Sequence, residues 1–493
     1  MRKFTISMAL VLAFAAGPSA QQADPVKAAA GALGAGALKT LQFTGSGANF
    51  SVGQNFTPAE PWPRVAVKSY TASINFDTGS MRQELVREMG TTMPRGGGAP
   101  FTGEQRQIQV VSGNFAWNLG APAQAGGAPP PAAPQPGNAV ERMLMLWATP
   151  QGFVKAAMAN NATTRKAKGG TEVSFMVGGR YKMTGIINTQ NDVERVQTWI
   201  DQPIVGDMRV ETAYSGYKDF GGVRFPSRIV QSQDGYPSLD LTIATVTANP
   251  AVDISVPDNV RTAQPAPVAV TSQTLADGVF YLTGGSHHSL AVEMKDHIVL
   301  VDVPQTEQRA LAVIAKAKEV IPNKPIRFLV TSHHHWDHLG GIRTAIDEGA
   351  TIVTHQTNKA FLERVAKTPH TINPDRLSMS KRSVKIQTVG DMGKLTDGTR
   401  TIELHRLTNY EHTGDMLVVY LPKEKILAEP DAFTPPATPT TPLVVTAVPY
   451  AVALYDNIKR LNLDVQSIVP LHGARTGDVA ELARLAGKGN AGN

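Results

Sequence analysis

Cysteine is absent from all 493 residues of this chain. The stability of the protein therefore owes nothing to disulfide bonds, and thiolates are excluded as metal ligands. A chain of this length can bury enough apolar surface to fold without such cross-links. It is also too long for one ordinary core, so the sequence predicts two folded units behind a short leader.

Concentrated positive charge and long apolar runs are also missing. The formal net charge is only +6, and no stretch rich in lysine and arginine forms a footprint for nucleic acid. After the leader, the segment nearest to a membrane span is TPLVVTAVPYAVALY (441–455), which two prolines interrupt. We therefore expect neither a nucleic-acid partner nor a membrane anchor, and the sequence leaves the oligomeric state open.

The N-terminal residues have the pattern of a secretory signal peptide (1–20). Arg2 and Lys3 form a basic start, and residues 6–16 form an apolar run too short to anchor stably in a bilayer. Small residues around Ala20 offer a cleavage site. A buried N-terminal helix is the alternative, which the basic flank disfavours. The mature protein is expected to be periplasmic or secreted.

Residues 21–260 are expected to form a mainly β domain. Segments such as AVKSYTASINFD and SLDLTIATVTANP alternate apolar and polar residues, as in an antiparallel sheet with one face in water. One helix is predicted over 138–159, where apolar residues recur every three or four positions. Two inserts rich in proline and glycine (94–100 and 120–137) lack the apolar content to pack and are expected to be mobile loops. None of the twelve histidines lies in this half.

This succession of strands, a helix and further strands resembles the curved-sheet domains of periplasmic lipoprotein carriers. The resemblance is one of topology and covers only the N-terminal half. It implies a sheet that could hold a hydrophobic ligand. The alternative is a structural sheet that orients or oligomerises the C-terminal domain. The sequence leaves both open, because a fold does not fix a function.

A proline-rich connector around 250–270 leads into the second unit (261–493). Strand-like segments such as HIVLVDV and PIRFLVTS alternate here with helical segments such as TEQRALAVIAKAKEVI. Strands that alternate with helices predict an α/β layered domain.

The strand PIRFLVTS runs directly into HHHWDHLGG (333–341), a compact cluster of potential metal ligands. His333 and His335 are two residues apart, so they point the same way on an extended segment and can bind one metal ion. Asp337 and His338 follow where the chain turns into a helix, and there they can face a second ion. Without a metal, these polar side chains would be buried in a core without partners.

HHHWDH resembles the HxHxDH motif of the metallo-β-lactamase superfamily. Three later segments resemble further motifs of that family in the same order: YEHTGD (410–415), ILAEPDAF (426–433) and IVPLHG (468–473). The resemblance covers about 270–477 and implies a four-layer αββα sandwich with a metal site at one edge of its two sheets. One position departs from the family, since Pro430 stands where glycine is usual before the aspartate.

By this resemblance, two zinc ions would share seven ligands, with iron as an alternative metal. The first ion would be bound by His333, His335 and His412, the second by Asp337, His338 and His472, with Asp431 bridging the two. A hydroxide between the ions would attack the substrate. Asp337 would also orient that hydroxide, which makes it the expected catalytic residue. The positive charge of such a site favours oxygen atoms that become anionic during hydrolysis.

The substrate is predicted only as a class of small molecule. The lack of cysteine excludes the lactamase subclasses with a thiolate ligand, and Asp431 is closer to the thioester, lactone and phosphodiester hydrolases of the superfamily. We therefore expect an exported zinc hydrolase of esters, thioesters or lactam-like compounds. Two alternatives stay open: a mononuclear non-haem iron enzyme that oxidises sulfur compounds, and a periplasmic protein that binds a hydrophobic ligand.

Several other polar residues can be interpreted only from their position in the sequence. His287 and His288 lie in a loop between two strands and either border the pocket or are merely solvated. His334 should point away from the metals by alternation. Asp302, at the end of IVLVDV, is expected to orient a ligand histidine rather than to bind metal.

Overall fold

The computed structural model describes residues 24–90, 94–98, 100–120, 130–265, 267–438 and 447–488. The expected signal peptide (1–20) lies outside the described residues, as do residues 121–129 of the second insert. Among the helices of the described part of the chain, none is long and apolar enough to cross a membrane.

Thirteen strands of the described residues form one antiparallel sheet in the N-terminal half. In chain order they are Thr40–Phe50 (β1), Arg64–Asn75 (β2), Ser80–Glu88 (β3), Glu104–Ser112 (β4), Phe115–Leu119 (β5), Ala133–Pro134 (β6), Thr163–Ala167 (β7), Gly170–Val177 (β8), Tyr181–Asn188 (β9), Val193–Gln202 (β10), Gly206–Asp219 (β11), Arg224–Gln233 (β12) and Tyr236–Ala248 (β13). Strand β1 pairs with both β2 and β13. The first six strands therefore extend the sheet to one side of this junction and the last seven extend it to the other.

Three helices accompany this sheet: Pro25–Ala32 (α1), Ala139–Ala148 (α2) and Pro150–Ala159 (α3). The single helix predicted over 138–159 is wrong in one respect, because the chain leaves the helical conformation at Thr149. This residue is extended (ψ 152°), since a proline disfavours the helical region for the residue before it. The Thr149 side chain then accepts a hydrogen bond from the N–H of Gly152 and caps α3.

The first proline- and glycine-rich insert is packed, so the expectation of a mobile loop was wrong for residues 94–98. Gly96 and Gly97 are buried, and the N–H of Gly96 donates to the carbonyl of Glu411 over 2.7 Å. In the second insert, β6 pairs with β5. Composition misled for residues 94–98, because a glycine-rich segment can pack through backbone contacts without apolar side chains.

The C-terminal half contains two further sheets. The seven-stranded sheet consists of Thr271–Ala276 (β14), Val279–Thr283 (β15), Ser289–Glu293 (β16), Ile298–Val301 (β17), Ile326–Val330 (β18), Thr351–His355 (β19) and Lys385–Val389 (β20). The five-stranded sheet consists of Met392–Thr396 (β21), Thr401–Arg406 (β22), Leu417–Leu421 (β23), Ile426–Glu429 (β24) and Ser467–Pro470 (β25). Strands β17 to β20 are parallel to one another.

A short helix, Asp258–Arg261 (α4), lies against the N-terminal sheet, where Val260 packs with Val110 and Trp117. Helices cover the outer faces of the two C-terminal sheets. They are Glu307–Val320 (α5), Trp336–Leu339 (α6), Ile342–Glu348 (α7), Lys359–Val365 (α8), Arg376–Ser380 (α9), Pro449–Arg460 (α10) and Val479–Leu485 (α11). Alternate residues of β17 show the layering: Val299 and Val301 belong to the core between the sheets, whereas Leu300 belongs to the core shared with α5 and α7. On the other side, α10 and α11 pack on the five-stranded sheet. The predicted αββα sandwich behind a mainly antiparallel β domain is confirmed.

Several strands, including β3 and β20, were not predicted from the sequence. Strand β3 (SMRQELVRE) is partly exposed along most of its length, and β20 (KIQTV) is largely exposed at an edge of its sheet. Neither shows the alternation of apolar and polar residues on which the prediction of strands rests.

Replacement of Arg142 tests how α2 is held on the N-terminal sheet. This buried guanidinium donates to the carbonyls of Val110 (3.0 Å) and Trp117 (2.7 Å) and to Oδ1 of Asn118 (2.6 Å). We expect Arg142→Met to destabilise the protein by about 2–3 kcal/mol, since buried acceptors lose a charged donor. Calorimetric unfolding measures this loss. An equal effect of Arg195→Met, at an exposed position of β10, would contradict the account.

Candidate metal centre

The structure brings all seven predicted ligands together at one edge of the C-terminal sheets. They lie on four segments of the chain: three follow β18, β24 and β25, and the fourth connects β22 to β23. Their ligand atoms form overlapping groups within 4.8 Å, namely His333, His335 and His412; His333, His338 and Asp431; and His287, Asp337, His338 and His472. The ligand assignment itself stays a prediction, and the geometry is consistent with it.

Two backbone carbonyls fix the imidazoles of His335 and His412. Nε2 of His335 lies 2.9 Å from the carbonyl oxygen of Asn55, and Nδ1 of His412 lies 2.6 Å from that of Gly97. A carbonyl only accepts, so each of these nitrogens carries a hydrogen, and a neutral ring then has its lone pair on the other nitrogen. The remaining nitrogens, Nδ1 of His335 and Nε2 of His412, face each other at 3.0 Å. Two bare lone pairs at this distance form a site for a cation.

Asp302 fixes His338 and, through Ser332, His333. Its Oδ2 accepts from Nδ1 of His338 over 2.9 Å and from the hydroxyl of Ser332 over 2.6 Å. Because that hydroxyl has one hydrogen, its oxygen accepts from Nδ1 of His333 at 3.0 Å. Nε2 of His333 is then bare, and it is buried without a hydrogen-bond partner. Asp302 therefore orients two of the predicted ligand histidines, and their binding of metal stays a prediction.

Asp431 lies at the centre of the cluster. Its Oδ2 is 3.3–3.4 Å from the Nε2 atoms of His333, His338 and His412, and its Oδ1 is 3.1 Å from Nε2 of His472. Oδ2 is buried and has no hydrogen-bond partner. This is the position that a carboxylate bridging two ions requires.

The turn that carries Asp431 is held by the side chain of Glu429. Oε2 of Glu429 accepts from the backbone N–H groups of Ala432 (2.6 Å) and Phe433 (3.2 Å). Burial raises the pKa of this carboxyl group well above its usual value. The unusual Pro430 therefore does not displace Asp431, since a side chain braces the turn.

Asp337 is held by hydrogen bonds at both of its oxygens. Oδ1 accepts from Nε2 of Gln54 over 2.9 Å, and Oδ2 lies 3.2 Å from Nε2 of His287. Burial acts to raise the pKa of Asp337, but the hydrogen bond from His287 and the nearby histidines outweigh it and hold that pKa below its usual value. Asp337 is thus ionised and fixed in direction.

His287 belongs to the centre, where the sequence left it either bordering the pocket or solvated. Its ring centroid is 3.8 Å from that of His472, and its Nδ1 lies 2.9 Å from the hydroxyl of Ser286. Its neighbour His288 is buried and contacts the carbonyl of Gly473 through Nε2 at 2.6 Å. The histidine pair in GGSHHSL was the only sequence signal for this contribution.

No feature of the sequence pointed to Gln54, Asn55 or Gly97. Asn55 and Gly97 act through backbone carbonyls, which every residue has. His334 does point away from the cluster as predicted. Its Nδ1 contacts Oδ1 of Asp415 at 2.9 Å.

The protonation of the cluster suits a metal. Burial lowers the pKa of His333 and His335 well below the usual value, which leaves them neutral and able to ligate. At His338, burial acts to lower the pKa, yet the carboxylates of Asp431 and Asp302 raise it well above the usual value. The same negative potential that favours a proton here favours a divalent cation. A donor set of imidazole nitrogens and carboxylate oxygens fits zinc or iron.

The predicted ligands differ in their exposure to solvent. The exposed fraction of the side chain is 32% for Asp337 and 25% for His472, but 0% for His333 and 3% for His412. Asp337 and His472 are therefore more open to solvent than His333 and His412.

Substitution of Asp302 tests how the histidines are oriented. In Asp302→Asn, an amide N–H would face the protonated Nδ1 of His338, and the ring would lose its fixed orientation. We expect the zinc affinity to fall by about 10–100-fold, measured by competition with a chromophoric chelator. Asp296→Asn, at an exposed aspartate outside the cluster, is the control, and equal affinities of the two variants would contradict the assignment.

Comparison with known proteins agrees with this geometry. Residues 282–472 match the model of the Metallo-beta-lactamase superfamily. The metallo-beta-lactamase from Pontibacter korlensis is similar, with 21% identity over 45% of this chain and 100% of that chain and a TM-score of 0.35. The DIM-1 metallo-beta-lactamase is similar, with 20% identity over 44% of this chain and 95% of that chain and a TM-score of 0.33. A comparison with curated proteins gives no match. The family match confirms what the histidine motif predicted: residues 282–472 are a domain of the metallo-β-lactamase superfamily.

Proposed function

We propose that the protein is an exported dinuclear zinc hydrolase that acts on a small ester, thioester or lactam-like substrate. The observation that carries this proposal is the close pairing of imidazole nitrogens around one central carboxylate. His335 and His412 face each other at 3.0 Å, as do His338 and His472. Asp431 lies within 3.4 Å of His333 and His412, which supports two ion positions rather than one.

Two divalent ions in such a site would lower the pKa of a water molecule and stabilise an oxyanion. The side chains of the chain supply the rest. Asp431 and Asp337 both bear negative charge among the histidines, and Asp337 is held in direction by Gln54 and His287. Its exposed position lets it accept a hydrogen bond from an attacking water and orient it toward a carbonyl carbon.

Two rival functions are less well supported. A mononuclear iron enzyme would use the same histidines, and one iron per chain in elemental analysis would favour it, but a single ion would leave one pair of facing nitrogens without a cation. A carrier of a hydrophobic ligand needs an apolar cavity. One cavity, of about 270 Å³ between α2 and the N-terminal sheet, has Leu85 and Leu239 in its lining but also amides such as Gln83, so it is not apolar throughout.

Loss of one histidine tests the catalytic proposal. We expect zinc-loaded protein to hydrolyse nitrocefin or at least one member of a thioester panel. His412→Ala should lower kcat/KM by about 10³-fold, because the electrostatic stabilisation of the oxyanion is lost. His297→Ala, at a buried histidine outside the cluster, should retain activity. No turnover by zinc-loaded wild-type protein would count against the proposal.

Export is tested by the N-terminus of the mature protein. Arg2 and Lys3 followed by an apolar run support cleavage near Ala20. We expect N-terminal sequencing of protein from the periplasm or medium to start within a few residues of position 21. Protein that retains Met1 and stays in the cytoplasm would contradict export.

A further inference from the structure

We propose that two loops of the N-terminal sheet serve as the outer shell of the metal centre, so that the C-terminal domain depends on the N-terminal half to bind its ions. The loops are residues 51–63, between β1 and β2, and residues 95–98, and together they are called the clamp. The inference rests on the proposed metal function and assigns the N-terminal half a direct part in it.

The clamp determines which nitrogen of two histidines is free to ligate. The carbonyl of Asn55 accepts from Nε2 of His335 (2.9 Å) and that of Gly97 from Nδ1 of His412 (2.6 Å). Both carbonyls belong to the N-terminal half, and both histidines belong to the C-terminal half. Without these acceptors, each ring could turn over or change tautomer, and the pair of facing nitrogens would be lost. Such outer contacts are known to raise metal affinity by orienting the ligand.

The clamp also holds a carboxylate. Nε2 of Gln54 donates to Oδ1 of Asp337 over 2.9 Å. His287 contacts the other oxygen, so the carboxylate cannot rotate freely. The clamp therefore contacts three predicted ligands, His335, His412 and Asp337, through one hydrogen bond each.

The clamp is itself braced. The side-chain amide of Asn55 donates to the carbonyl of Glu60 (2.9 Å), and its oxygen lies 3.3 Å from Nε2 of His334. The N–H of Gly97 donates to the carbonyl of Gln54 over 2.8 Å, which ties the two loops together. The carbonyls that contact the histidines are thus held in place by further hydrogen bonds.

The clamp docks on the two motifs that carry the histidines. The carbonyl of Phe56 accepts from the N–H of Gly414 over 2.9 Å, two residues after His412. Gly53 lies against Trp336, the neighbour of His335, so closely that a Cβ atom would be 2.5 Å from the indole ring. The contact therefore needs glycine at this position of the clamp.

A purely structural interface would predict a different pattern. Its loss would lower the stability of the protein but would leave the affinity of the centre for zinc unchanged. The clamp proposal predicts that a clamp variant binds zinc more weakly even when its zinc-free form is as stable as that of the control variant. The two readings are therefore separated by measuring both quantities.

Gly96→Ala is the principal test. Gly96 has φ +83°, and an added Cβ would lie 2.7 Å from the carbonyl oxygen of Gln54 and 2.8 Å from the N of Phe56, which pushes the two loops apart. Gly222→Ala is the matched control, since Gly222 has φ +90° and open space around its Cβ position. Backbone strain is then alike in the two full-length variants, and only one disturbs the clamp.

We expect Gly96→Ala to bind zinc about 10–100-fold more weakly than Gly222→Ala, by competition with a chromophoric chelator. The visible spectrum of the cobalt-substituted protein should change as well, because the ligand geometry changes. Equal zinc affinity and equal cobalt spectra in the two variants would overturn the clamp proposal while leaving the proposed function intact. Wild-type protein that binds no zinc would overturn both.

Gln54→Leu keeps the proposal testable if Gly96→Ala does not fold. The change removes the donor to Asp337 with little change in volume. Gln42→Leu, which removes a similar bond to Ser73 elsewhere in the sheet, is its control. We expect about a tenfold loss of zinc affinity for Gln54→Leu at an equal melting temperature of the zinc-free proteins. Unchanged affinity would contradict the role of Gln54.

Discussion

Imidazole nitrogens that face one another across 3.0 Å are the constraint on which the rest of this structure depends. His335 and His412 form one such pair, and His338 and His472 form the other. Two ring nitrogens approach this closely only with a proton or a metal ion between them. The fold enforces it by placing acceptors, two carbonyls and the carboxylate of Asp302, behind three of the rings.

Carboxylates supply the compensating charge. Asp431 lies among the histidines on a turn braced by Glu429, and Asp337 lies at the open side of the cluster. Burying such groups without partners is costly, and two buried atoms here, Nε2 of His333 and Oδ2 of Asp431, make no hydrogen bond. A metal ion would offset this cost by binding both atoms. The stability of the C-terminal domain would then depend on the ions that its proposed chemistry needs.

Much of the C-terminal half could be predicted from the sequence, because its candidate site consists of side chains that the sequence identifies directly. His333, His335, Asp337 and His338 follow one strand at spacings that leave few alternatives, and the later motifs appear in order. The break at Thr149 was also readable, since a proline follows it. The contribution of the N-terminal half was not readable. Carbonyls of Asn55 and Gly97 are common to every residue type, and only the folded chain shows which histidines they meet.

The structure therefore changes the interpretation of the N-terminal half. A glycine-rich insert that looked like a mobile loop packs Gly96 and Gly97 against the centre. No histidine lies in this half, so its sequence gave no signal of a contact with the metal centre. The structure instead places the predicted ligands in one half and several of the groups that contact them in the other.

Anomalous diffraction at the zinc absorption edge tests the central claim most directly. Crystals of the zinc-loaded full-length protein should show two peaks separated by about 3.5–4 Å. One peak should lie among His333, His335 and His412, the other among Asp337, His338 and His472, with Asp431 between them. A single peak, or peaks outside this cluster, would contradict the account of a dinuclear centre.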